Sequence, residues 1–94
     1  MNNDTLIITL RSPITAGSET VTEIRLREPV VDEIEKFSQA VEKHGGIAGM
    51  KLLISSISGI SPIAIGKMGA RDFKAAERYL TGFFEDAPAT GSTS

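Results

Sequence analysis

An α+β fold, a β-hairpin followed by three or four α-helices in a single small domain, is predicted by three features of the sequence. Two early segments alternate apolar and polar residues with the period of a strand. Pro29 ends that pattern, and beyond it apolar residues recur at every third or fourth position, the helical period. A length of 94 residues leaves room for about one domain.

The first strand is predicted over Thr5–Arg11, where Leu6, Ile8 and Leu10 share one face. The second places Ile24 and Leu26 on one side and Glu23, Arg25 and Arg27 on the other, so one face is wet. The loop between them holds Pro13, Gly17 and Ser18. A hairpin alone is marginal in water, so helices must cover its apolar face.

After Pro29, a stripe of Val31, Ile34, Phe37 and Val41 predicts a first helix. Acids cluster in its first turns and Lys43 and His44 in its last, which suits the helix dipole, and Gly45-Gly46 supplies the stop. A second, more buried helix follows from Ile47, Met50, Ile54 and Ile57, with Ala48 and Leu53 flanking, and ends at Gly59. Ser61-Pro62 is a helix start, serine as N-cap and proline at the first helical position, for a short helix to about Met68. Past Gly69, Phe73, Ala76, Leu80, Phe83 and Phe84 line the last helix, with Asp72 near its positive end. The domain is predicted over residues 1–86. Residues 87–94, APATGSTS, have nothing to bury and are expected to form a disordered tail.

Composition narrows the function. With 40% hydrophobic and 23% charged residues the chain is globular in character, and a partner or self-association would add to the stability of so small a core. The absence of cysteine removes thiolate metal sites and cysteine nucleophiles. The start of the chain lacks the basic residues and long apolar run of a signal peptide, and the uncharged stretch from Leu52 to Gly66 is too short to span a membrane, so a cytoplasmic protein with no membrane partner is expected. Twelve acids against ten lysines and arginines make nucleic acid an unexpected partner.

No catalytic set emerges. His44 is the one histidine, the residue type most used for acid–base work at neutral pH, and its place beside Lys43 at a helix end reads as a cap. The serines at 55, 56, 58 and 61 lack a nucleophile elbow, and Asp32, Glu33 and Glu35 read as a solvated acidic turn. No metal, no cofactor and no enzymatic activity are expected. Two features would suit a small nucleic-acid-binding regulator, the alternative function. Gly46-Ile47-Ala48-Gly49 matches the backbone-clamping loop of KH domains in form but reads first as a helix–turn–helix connection. Arg71, Lys74 and Arg78 share one helix face, which Glu77 interrupts and which reads first as a solvated surface. The apolar stripes fit either a binding module or ordinary core. For a binding surface the candidates are Tyr79 and Phe83 on the last helix, with Met50 and Met68 as an adaptable lining.

The order of elements, with Leu26-Arg27-Glu28-Pro29, the Gly59-Ile60-Ser61-Pro62 turn, Asp72-Phe73 and Phe83-Phe84, resembles the phage tail assembly chaperones, small proteins of contractile-tailed phages and prophages. The resemblance runs from Leu6 to Phe84. It implies a non-enzymatic factor of the host cytoplasm that binds the tape measure protein, keeps it soluble while the tail tube forms, and is absent from the mature virion. It also implies a frameshifted longer product that recruits tail tube protein, for which codons 82–84 offer a slippery heptamer if written GGT-TTT-TTY. The family often has Thr or Ser where Val30 stands here, so Asp32 is the expected substitute cap.

Overall fold

The computed structural model describes residues 5–85. The expected disordered tail at 87–94 and the end of the predicted domain at residue 86 lie outside them. Strands β1 (Leu6–Ala16) and β2 (Glu19–Leu26) precede helices α1 (Val31–His44), α2 (Gly46–Ser58), α3 (Pro62–Ile65) and α4 (Ala70–Glu85), the α+β order read from the sequence.

The strands pair antiparallel with Leu6 opposite Leu26 and Ile8 opposite Ile24, so the apolar sides of both face the helices. Ile24, Leu26, Leu10 and Ile14 are buried there. β1 does not stop at Arg11 but continues to Ala16, and the loop shrinks to Gly17-Ser18. Gly17 has φ 66°, the left-handed conformation that two-residue hairpin turns require. The difference arises from a bulge, in which Leu10 to Pro13 stand against Thr22 alone. Proline reads as a strand breaker because it has no N–H, and a bulge is one of the few places in a strand that tolerates it.

Helix α1 begins one residue after Val30, the N-cap. Asp32 does not cap it. Glu33 reaches back instead, its Oε1 accepting the Val30 N–H at 2.9 Å, while the Glu33 N–H donates to the Val30 carbonyl at 3.0 Å. Val31, expected on the buried stripe, is 78% exposed because the first turn projects beyond the core. The helix ends at Gly45 (φ 99°), whose N–H bonds the Val41 carbonyl. α2 then packs closely on α1 at Gly49, where an added Cβ would lie 2.5 Å from Val41 Cγ2 and 3.2 Å from the Phe37 carbonyl oxygen.

Met50, Leu53 and Ile54 carry α2 into the core, and Gly59 (φ 80°) closes it with an N–H bond to the Ser55 carbonyl. Ile47 was expected among the core residues of this helix and is 75% exposed, since the first turn of α2 lies at the core's edge. Ser61 Oγ accepts the Ala64 N–H at 3.3 Å and Pro62 opens α3. That helix stops at Ile65 rather than Met68, because Lys67 and Met68 donate to carbonyls three residues back and tighten the chain out of α-helix. On α4, Ala76 and Leu80 are fully buried beneath the hairpin, and Phe73, Tyr79 and Phe84 pack against that core.

Candidate partner-binding surface

Two open grooves flank the first turn of α2. One, of about 490 Å³, lies between α1, α2 and α4, with walls of Phe37, Val41, Ile47, Glu77 and Thr81. Met50 is its floor and only 2% exposed, so it belongs to the core as much as to the surface. The other, of about 240 Å³, runs between α2, α3 and the start of α4 and is lined by Lys51, Ile65, Met68 and Phe73. Ile47 borders both and is the exposed apolar ridge between them. The apolar part of the lining is branched, aromatic and thioether side chains, and Ser38, Glu77, Thr81 and Lys51 supply the polar part, a mixture that suits an amphipathic helix.

Met50 and Met68 therefore stand in neighbouring grooves. Tyr79 and Phe83 stand apart from both. They form an edge-to-face pair with ring centroids 5.2 Å apart, each half-buried on α4. Phe84, on the same helix, stacks on Phe37 at 5.2 Å and ties α4 to α1. Sequence reasoning missed Ile47 as a surface residue. Its signal was position, one residue past a Gly-Gly break, where a helix has not yet reached the core.

The acidic turn of α1 is not uniformly solvated. Glu33 takes a bidentate pair from Arg27, Nη1 to Oε1 and Nη2 to Oε2, both at 2.9 Å, and Ser56 Oγ donates to its Oε2 at 3.4 Å. These bonds join the residue after β2, the first turn of α1 and the last turn of α2. The Arg27 hydrogen bonds hold the Glu33 carboxyl down at about 2 against the opposing effect of burial, helped by the Val30 N–H. The same pairing raises Arg27. A carboxylate so fully engaged stays ionised near neutrality and serves as a junction rather than a proton donor.

Gly46 to Gly49 is the first turn of α2, not an open loop, and Gly49 is buried against α1. The form that suggested a nucleic-acid clamp is thus absent. Arg71, Lys74 and Arg78 do share a face, and the structure adds Arg11 opposite them across a groove of about 630 Å³ between β1 and α4. His44 is exposed at the end of α1. Among the described residues no group of three or more His, Asp or Glu side chains is arranged to hold a metal, and no helix is long and apolar enough to cross a membrane.

A hairpin covered by helices, with grooves beside the cover, makes a small α+β domain. The model of the family described as phage tail assembly chaperone proteins, E, or 41 or 14, matches residues 7–85, and the chain belongs to that family. No curated protein and no solved structure matches it.

Proposed function

We propose that the chain is a non-enzymatic chaperone that binds the tape measure protein and keeps its apolar helical segments soluble while the tail tube assembles around them. The observation that carries this reading is the groove between α1, α2 and α4, with exposed Ile47 at its rim and adaptable Met50 at its base. Tyr79 and Phe83 provide a second aromatic edge on α4. The protein works in the host cytoplasm and leaves before the virion is complete. A −1 slip at codons 82–84 would keep the chain through Phe84 and replace residues 85–94 with a segment that recruits tail tube protein.

Co-expression with the tape measure protein tests the reading. Ile47→Asp, at an exposed site, is expected to leave circular dichroism native while the tape measure protein moves from the supernatant to the pellet. Tyr79→Asp and Phe83→Asp measure the aromatic edge in the same assay. Undiminished co-purification with all three variants would overturn the assignment of the surface.

A further inference from the structure

We infer that the groove between β1 and α4 receives a short acidic stretch of a protein partner. Its rim carries Arg71, Lys74 and Arg78 from α4, at successive spacings of three and four residues, and Arg11 from β1. All four are exposed, and the ion pairs among the described residues are Arg25 with Glu23 and Arg27 with Glu33, so none of the four is neutralised there. Asp72 also lines the groove, but it is only 5% exposed and its Oδ2 accepts the Arg11 backbone N–H at 2.9 Å. That bond fastens the β1 bulge to α4 and so presents the Arg11 side chain across from the helix. A buried carboxylate, a bulge and four cations from two elements make a constructed site rather than scattered surface charge.

Dimensions and charge select the occupant. From Arg71 to Arg78 the helix rises about 10 Å, the length of three or four extended residues. The whole chain is net negative at −2, so its surface beyond these cations is more acidic still and repels a long polyanion. A short run of Asp and Glu meets the basic rim, since the acid of the lining, Asp72, is buried and bonded to the Arg11 N–H. A shallow depression shares Lys74 and Arg78 with this groove and Glu77 and Thr81 with the apolar one, so one partner segment reaches both. The inference rests on the proposed function only for the identity of that partner.

Fluorescence anisotropy with the full chain and a labelled Gly-Asp-Glu-Asp-Glu-Gly peptide tests the groove by itself. Saturable binding that weakens with added salt is expected, reduced about tenfold or more in the double variant Lys74→Glu, Arg78→Glu. Arg25→Glu, outside the groove, should leave it unchanged, and circular dichroism establishes that each variant is folded. Ile47→Asp should retain the peptide, which separates this result from failure of the apolar groove. No binding, equal binding by the double variant, or tighter binding of an oligothymidylate of the same charge would each overturn the inference.

Discussion

Helices α1 and α4 both present an apolar stripe at spacings of three and four residues, yet α4 buries Ala76 and Leu80 completely while no residue of α1 is fully buried. The two also differ in what holds them. α4 lies under β1 and is fastened to it through Asp72 and the Arg11 N–H. α1 packs on α2 at Gly49 and is held by the Phe37–Phe84 stack near its middle and by Glu33 with Arg27 at its start. Periodicity thus assigns a face to each helix but not a depth, and depth decides which residues are core and which line the groove between α1, α2 and α4.

The largest effect should come from removing depth where it exists. Leu80→Ala leaves a cavity in the fully buried stripe and is expected to cost about 3 kcal/mol in urea unfolding, a large share of the stability of a domain this small. Val31→Ala, at the exposed start of α1, should change it by less than about 0.5 kcal/mol. Equal losses would mean that α1 is as central as α4.

An intermediate effect isolates the polar junction of α1. The Glu33 carboxyl sits at about 2 in the folded chain against an ordinary 4.5, so its contribution to stability is complete above pH 4.5 and is lost as the pH falls toward 2, where the unfolded chain takes up the proton first. The shift alone corresponds to about 3 kcal/mol, and the half-exposure of Arg27 reduces this to about 1–2 kcal/mol. Glu33→Gln should be less stable than the parent by that amount at neutral pH, with the two urea midpoints converging between pH 4.5 and 2. A constant gap across that range would assign the loss to packing instead of charge.

Local rules made much of this legible. Leu6, Ile8, Leu10, Ile24 and Leu26 face inward as period two requires, and Gly59, Ser61 and Pro62 punctuate the helices as their chemistry demands. The bulge at Leu10–Pro13 was not legible because what stabilises it, Asp72, lies 61 residues away. Glu33 likewise looked solvated because Arg27 and Ser56 come to it from other elements. Within the candidate site, the spacing put Met50 on an apolar face but could not tell floor from rim, and it put Ile47 on the same face although that turn overhangs the core.

The smallest effect concerns how α1 starts. Val30 has the extended conformation of an N-cap (φ −90°, ψ 166°) but no side-chain acceptor, and it is 56% exposed, so little packing depends on it. Val30→Ser adds an oxygen positioned to accept an N–H from the first turn while Glu33 keeps its bond to the Val30 N–H. The gain is expected to be about 0.5–1 kcal/mol, and because α1 is the shallowly packed helix it should be felt locally. Hydrogen exchange then slows roughly two- to fivefold at α1 amides and stays unchanged at Ala76 and Leu80. Equal slowing in both helices would show that they open as one unit, and the groove wall would then be as rigid as the core it leans on.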